Sequence, residues 1–549
     1  MRSDYEIQFP SDKPYWFFSV GLNSEEPLSV TGSRILIANR STLYLNGQPL
    51  DPHMRPLRDE DFHTRLVHNQ AFLQKCNGGF GGVLVSGDDI IIFVDRVGMH
   101  RVYFMLDEGC LYVSNHVDKI VSGCNQVLEV NYRAWGEMWH QQTLLSSHTF
   151  FKDIHAISVG EYVKVSRRLK RYSRINYDTV YGKGAIDDRP VESIAKDIVA
   201  ELTSCLSDAE LEFHGTFSAT ISGGMDSRLL LGIAEKAKLA FPLFTADTDT
   251  VYNEYALLKP LLAYWNRESS YYPVPPDYFQ LYAEKCFSNT DFHCLQHIWF
   301  ACAAADCKDL RSTFTMTGIG AGELMRLFND NRRFASLIPF FIDGDIDGLM
   351  QQFELLYPQD QSGFLNPDFY DSLSVAYHES LRDSLSDFLS KPRGAMDWFI
   401  KGQLFNCIVY FFTMYADELS GFSPYLSTNV LDILFSLPQD GTILGEKLYN
   451  ALYAQVDPKL LSYPSTRSSS IEKFAQVPKL HNHDTLIWIK ERLLSGRLAE
   501  NGILNEERLL AYFEKCDMDK SYQVHRNLKT LLLLNAWYGK FQLWFGCQK

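Results

Sequence analysis

The chain has 549 residues, a length that calls for two or three domains. Hydrophobic residues make up 46% and charged residues 22%, which allows a large core and excludes global disorder. The net charge is −15 and no basic run is present, so nucleic acid is a poor partner. The 11 cysteines are scattered, with no CxxC pair and no His or Cys at metal-ligand spacing beside Cys302 and Cys307; reduced, mostly buried thiols are expected. The start Met1-Arg2-Ser3-Asp4 is polar and unlike a signal peptide. Apolar stretches such as Ile408 to Met414 are far short of the roughly 20 residues that span a bilayer. A cytoplasmic protein without membrane insertion is expected.

The first third reads as antiparallel β-structure. Val83-Leu84-Val85 and Ile90 to Val94 flank the turn Ser86-Gly87-Asp88-Asp89, and Val102 to Met105 and Leu111 to Val113 flank Asp107-Glu108-Gly109. Glu161 to Val165 alternates after a turn at Gly160. The polar stretch 181–190 reads as a linker between a first domain, 1–180, and a second, 191–549.

Beyond the linker, Ile194, Ile198, Val199, Leu202 and Leu206 have helical spacing. Thr216 to Ile221 reads as a strand, Arg228 to Lys238 as a helix, Pro242 to Thr245 as a strand, and the segment through Tyr255 to Leu258 as a helix. That alternation implies a parallel sheet with crossover helices. After Leu324 nearly everything reads as helix, notably Ile408 to Leu419 and Thr530 to Leu543.

The chemistry is concentrated at Ser222-Gly223-Gly224-Met225-Asp226-Ser227, where a strand ends and a helix begins. The glycines admit close approach of an anion, and the amides and dipole of a helix start favour negative charge. Ser222 and Ser227 offer hydroxyls. Asp226 repels phosphate directly but suits a Mg²⁺ ion bridging phosphate oxygens. No GxxxxGK[ST] is present, so this is not a Walker loop.

The hexapeptide resembles the SGGxDS signature of the N-type ATP pyrophosphatases. The chain as a whole resembles the asparagine synthetase family, in the branch that includes β-lactam synthetase and the lasso-peptide cyclases. Asn77 to Phe80, Asp95 to Phe104, Leu111 to Asn115 and Ile154 to Tyr162 resemble landmarks of that family's first domain, and Phe422 to Leu426 through Phe435 to Pro438 those of its second. The resemblance implies an α/β architecture: an N-terminal antiparallel β-sandwich of the Ntn glutaminase type (αββα), then a larger helix-rich PP-loop ATP pyrophosphatase domain with a parallel sheet. It implies ATP and Mg²⁺, with Ser222, Gly223, Gly224, Asp226 and Ser227 around the pyrophosphate. Phe244 and Thr245 would give backbone groups to adenine.

Three departures from the family matter. Asparagine synthetases carry the glutaminase cysteine directly after the initiator methionine; Arg2 stands there, and Cys76 is the first cysteine. The first domain is therefore expected to lack glutaminase activity, as in β-lactam synthetase and many lasso cyclases. Thr317 to Glu323 resembles the family's S-G-E-G-S-D-E loop, with Gly318 and Gly320 beside the nucleotide, but Gly322 replaces the metal-binding aspartate; either Glu323 reaches the metal or the loop binds none. Ile319 replaces the tyrosine base of β-lactam synthetase. In Tyr463 to Ser470, which resembles a lasso cyclase K-x-K-R-S-S-S stretch, Arg467 remains but the lysines do not. Arg467 would supply the catalytic charge, with Lys473 as fallback.

The expected activity is an ATP-dependent carbon–nitrogen ligase that adenylates a small-molecule or peptide carboxylate, releases pyrophosphate and passes the acyl group to an amine. The alternatives are an asparagine synthase-type amidotransferase acting on a small acid or sugar carboxylate, a functional glutamine amidotransferase exposed by another start, and a non-catalytic scaffold. A homodimer or a biosynthetic partner protein stays open.

Overall fold

A computed structural model describes residues 6–8, 15–24, 27–38, 41–124, 126–145, 147–178, 186–246, 253–275, 277–306, 314–327, 335–356, 362–391, 393–415, 420–438, 443–466, 483–515 and 525–545. None of the described helices is long and apolar enough to cross a membrane.

The described residues of the first part form twelve strands: β1 (Glu6–Gln8), β2 (Phe17–Gly21), β3 (Ser29–Thr31), β4 (Arg34–Ala38), β5 (Ser41–Gly47), β6 (Phe80–Ser86), β7 (Asp89–Val94), β8 (Tyr103–Asp107), β9 (Cys110–Ser114), β10 (His155–Ala156), β11 (Glu161–Ser166) and β12 (Arg171–Asn176). They form two antiparallel sheets, ordered β1-β4-β5-β6-β7-β11-β12 and β10-β8-β9-β2-β3. Both expected hairpins form. Val83 pairs with Ile92 and Val85 with Ile90, while Met105 pairs with Tyr112.

Alternation along β7 explains the layering. Ile90, Ile92 and Val94 join Phe18, Phe104 and Val113 in one core, which lies between the sheets. Ile91 and Phe93 project the other way, onto Phe62 and Leu66 of α1 (Asp59–His68). The outer face of the five-stranded sheet, with Tyr103 and Met105, packs into the large core shared with α2 (Val117–Gly123) and α3 (Tyr132–Gln141). The result is helix, sheet, sheet, helix.

The second part opens with α4 (Val191–Glu212). Its sheet consists of β13 (Phe217–Thr220), β14 (Leu243–Ala246), β15 (Ser270–Tyr272), β16 (Phe314–Met316) and β17 (Ser420–Phe422), all parallel in the order β15-β14-β13-β16-β17. The helices α5 (Met225–Ala237) and α6 (Glu254–Tyr264) make the first crossovers. The order reverses at β13, whose neighbours β14 and β16 are reached in opposite directions. Open sheets of this kind bind ligands beyond the strand C-termini at that switch point. β17 is the strand within a C-terminal part expected to be nearly all helix: it is three residues long, too short to carry a periodic signal, and exists through its pairing with β16.

The two parts share their packing. On α3, a Cβ at Gly136 would lie 2.8 Å from the Leu373 carbonyl oxygen and from Tyr377 Cβ of the helix Pro367–Ser386, so glycine is what lets the helices touch. One residue on, the fully buried Glu137 accepts from the Leu145 N–H (2.8 Å), His148 Nδ1 (2.7 Å) and the Ser380 hydroxyl. Burial depresses the His148 pKa, but the Glu137 carboxylate outweighs it and leaves the pKa above its ordinary 6.5. A raised histidine pKa stabilises the fold below the unfolded value, and that contribution disappears as pH rises through the folded value. Glu137→Gln is therefore expected to cost most stability below pH 6.5, with the deficit shrinking at higher pH. Urea denaturation of both proteins across that window checks it, and a pH-independent deficit would refute the coupling.

Candidate functional site

β13 carries the chain to Ile221, and the hexapeptide then turns into α5 with Gly224 at its N-cap. The loop closes on itself. The Ser222 N–H donates to Ser227 Oγ at 3.0 Å, the two hydroxyls lie 3.1 Å apart, and the Gly224 N–H donates to Ser222 Oγ at 3.2 Å. A Cβ on Gly224 would meet only Ser222 Oγ, at 3.2 Å, so the outer flank of this backbone is open. Gly223 is the opposite case. A Cβ there would lie 2.7 Å from Leu257 Cδ1 and 2.8 Å from Glu254 Oε2.

Glu254 is the first residue of α6 and is 4% exposed. Its carboxylate accepts from the Gly223 N–H at 2.5 Å. Asn253 caps α6 by accepting from the Ala256 N–H at 2.7 Å, as its helix-start position suggests. Glu254 does something different and brings an anion to one amide of the candidate phosphate loop.

Three tyrosines fix the start of α5. Tyr449 donates to Asp226 Oδ1 at 2.5 Å, Tyr453 to the Met225 carbonyl at 2.6 Å, and Tyr425 to the Asp226 carbonyl at 3.0 Å. Tyr449 and Tyr453 stand four residues apart on the helix Glu446–Val456, hence on one face. Arg228, 1% exposed, donates to the carbonyls of Leu460 (3.0 Å), Tyr463 (3.0 Å), Pro464 (2.5 Å) and Gly223 (3.4 Å). The Thr466 N–H also reaches the Gly223 carbonyl, at 3.3 Å. The segment ending at Thr466 is thus tied to the loop. Arg467 and Lys473, the expected catalytic cations, lie outside the described residues.

The loop after β16 supplies the second wall. Thr317 continues the sheet by donating to the Phe422 carbonyl at 2.9 Å. Gly318 then lies directly on α5, where a Cβ would stand 2.6 Å from Ser227 N and 3.0 Å from the Asp226 carbonyl carbon. Ser423 donates to the Ile319 carbonyl at 2.5 Å, and Gly320 turns with φ +95° against Leu426. Ser423, Tyr425 and Leu426 belong to one of the landmark segments, and they brace these two loops. Glu323 starts a π-helical turn (Glu323–Leu327), and its carboxylate accepts from the Gly320 N–H at 3.1 Å. In this arrangement Glu323 caps its own loop, while Asp226 holds Tyr449.

Phe244 and Thr245 sit within β14, and both are fully buried. The Phe244 carbonyl accepts from the Ile221 N–H at 2.9 Å, and Thr245 Oγ1 lies 2.8 Å from Ser269 Oγ. Phe244's carbonyl is committed to the sheet, and the strand reaches the rim only at its last residue, Ala246. Cys76 is 2% exposed, burial pushes its thiol far up, and its Sγ reaches the Phe72 carbonyl at 3.6 Å, the environment of an inert thiol. None of the seven described cysteines is in a disulfide.

No family model and no curated protein matches the chain. Among solved structures, a glutamine phosphoribosylpyrophosphate amidotransferase from B. subtilis, complexed with ADP and GMP, aligns at 9% identity and a TM-score of 0.19 over 43% of this chain and 72% of that one. A structure described as the allosteric regulatory enzyme of purine biosynthesis aligns at 11% identity and a TM-score of 0.15, over 43% of this chain and 61% of that one.

The two glycine contacts separate in mutation. Gly318→Ala drives a methyl into helix backbone that has no room to move and is expected to cost roughly 1–3 kcal/mol. Gly224→Ala meets one hydroxyl and should cost under about 1 kcal/mol. Chemical denaturation of the pair decides; equal losses would contradict the packing described.

Proposed function

We propose that the switch-point crevice binds MgATP and that the chain is an ATP-dependent ligase of the asparagine synthetase type, coupling cleavage of ATP to AMP and pyrophosphate to the joining of a carboxylate and an amine. The observation that carries this is the Ser222–Ser227 loop at the reversal point of a doubly wound sheet, with the Gly318 loop closing against the same helix start. The residues present fit a polyphosphate: the flank of Gly224 is open, Ser222 and Ser227 hold hydroxyls beside it, and α5 directs its dipole there. Asp226 would hold Mg²⁺ after release of Tyr449, and the ion would neutralise phosphate charge. Gly318 and Gly320 would wall the nucleotide, and Phe244 and Thr245 would border the adenine. Arg467, with Lys473 in reserve, would supply the cation at the reacting phosphate, a position favoured by the anchoring of Thr466 on Gly223. The carboxylate substrate is a small molecule or a peptide.

A non-catalytic scaffold is the second reading, and one observation favours it: Glu254 and the Ser222 hydroxyl already accept from the Gly223 and Gly224 amides, and Glu323 from Gly320. The two readings differ on nucleotide binding. MgATP should raise the unfolding temperature of the wild type, and Asp226→Ala should abolish that shift together with pyrophosphate exchange in the presence of a carboxylate panel. A wild type with no MgATP shift would sink the ligase reading.

Glu254 gives a second test. Its charge opposes phosphate at the Gly223 amide, and glutamine can keep the hydrogen bond without that charge. Glu254→Gln is expected to bind MgATP several-fold more tightly by titration calorimetry, whereas unchanged or weaker binding would show that phosphate does not approach this amide.

A further inference from the structure

Arg228 stands four residues after the Gly224 N-cap, in the first turns of α5. A cation is disfavoured there, because the helix dipole already places positive charge at that end. Burial adds to the cost: the side chain is 1% exposed, and desolvation lowers its pKa. A guanidinium stays charged even so. An arginine in this position must make bonds that a smaller or neutral side chain could not.

Those bonds divide between two places. Nη1 donates to the Leu460 and Tyr463 carbonyls, both at 3.0 Å, and so holds the stretch that leads to Thr466. Nη2 bridges the Pro464 carbonyl at 2.5 Å and the Gly223 carbonyl at 3.4 Å. The second of these belongs to the candidate phosphate loop itself. The Thr466 N–H donates to the same Gly223 oxygen at 3.3 Å, so two donors from behind the loop share one acceptor.

The direction of that oxygen decides what the loop shows a ligand. The Gly223–Gly224 peptide is trans and planar, so the Gly223 C=O and the Gly224 N–H point in opposite directions. Drawing the oxygen toward Arg228 and Thr466 aims the Gly224 N–H to the other side, where it meets Ser222 Oγ at 3.2 Å beside Ser227 Oγ. That acceptor is a hydroxyl, which rotates about a single bond and yields its place to a phosphate oxygen. The reversed peptide would present a carbonyl oxygen there and repel an anion. The Gly223 N–H is fixed as well, by Glu254 at 2.5 Å, so the residue is gripped at both of its polar ends.

We propose that Arg228 is a positioning residue for the candidate phosphate site: with Thr466 it locks the Gly223–Gly224 peptide so that the Gly224 amide, and not the Gly223 oxygen, faces the phosphate. This rests on the reading of the loop as a MgATP site. It adds a link to that reading, because the Leu460 to Pro464 stretch and the amide that meets phosphate depend on one guanidinium.

The test uses the full chain, with magnesium pyrophosphate and MgATP as probes. Arg228→Lys keeps the charge but has one nitrogen where the fork has two, and it cannot serve both sets of carbonyls. Affinities are measured by calorimetry below the unfolding temperature of each protein, with near-ultraviolet circular dichroism to verify the fold. Arg228→Lys should bind both probes roughly tenfold more weakly, the size expected of one hydrogen bond to a charged group. A strap with a structural role alone would lower the unfolding temperature and leave both affinities as they are, and that result overturns the proposal. A second measurement needs no variant at Arg228. In wild type carrying isotope-labelled glycine, the Gly224 amide signal, assigned by its loss in Gly224→Ala, should shift when magnesium pyrophosphate is added. A Gly224 signal that stays in place while pyrophosphate binds overturns the proposal even if Arg228→Lys fails to fold. A wild type that binds neither probe overturns the MgATP reading and this proposal with it, whereas equal binding by wild type and Arg228→Lys overturns this proposal alone.

Discussion

The contact on which the candidate site depends is the approach of Gly318 to the backbone of Ser227. Nothing larger than hydrogen fits, since a Cβ would stand 2.6 Å from the Ser227 nitrogen. This brings the turns after β13 and β16 together at the point where the sheet order reverses. The neighbouring features serve that contact. Ser423 holds Ile319, Leu426 packs under Gly320, and Tyr425 reaches across both loops to the Asp226 carbonyl.

The same brace runs back into the sandwich. Arg96, 2% exposed, pairs with Asp178 through two nitrogens (2.7 and 3.2 Å), lies 2.7 Å from Asp432 and donates to the Thr428 carbonyl at 2.9 Å. Asn77 accepts from the Thr428 N–H at 2.8 Å. The helix Thr428–Ser436 follows directly on Ser423 to Leu426, so the sandwich holds the segment that holds the Gly318 loop. Asp95 is spent on its own turn, accepting from the Val97, Met99 and His100 amides. Arg96, Asn77 and Asp95 thus all have structural work in this chain.

Much of this was legible in sequence, for identifiable reasons. Hairpins such as Val83 to Val94 announce themselves because apolar alternation and a Gly/Asp turn are both local. The hexapeptide is legible because glycines, hydroxyls and an acid at a strand-to-helix junction have a chemistry of their own. The β17 strand was not legible, since three residues have no period. Nor were the partners of the loop. Tyr449 and Tyr453 show helical spacing, yet nothing local says that their hydroxyls end on Asp226 and Met225. Arg228 looks like any helix arginine until the fold brings Leu460, Tyr463 and Pro464 to it. Asn253-Glu254 reads as a helix start, and only the tertiary structure separates the capping asparagine from the glutamate that turns to Gly223.

The short strands β16 and β17 tie these observations together. One end of each borders the aromatic floor of a cavity of about 970 Å³, through Phe314 and Phe422, and the chain leaving β16 builds the crevice wall at Thr317 to Gly320. Phe314 is stacked on Phe213 at 4.1 Å and lies 6.1 Å from Phe422, so the floor is a packed aromatic layer that joins α4 to both strands. Among the described residues the charged groups of the two places differ: Arg101, Asp118 and Asp291 line the cavity, whereas Asp226, Glu254 and Glu323 gather at the loops. What the two places share is backbone, through the Thr317 N–H that donates to the Phe422 carbonyl at 2.9 Å.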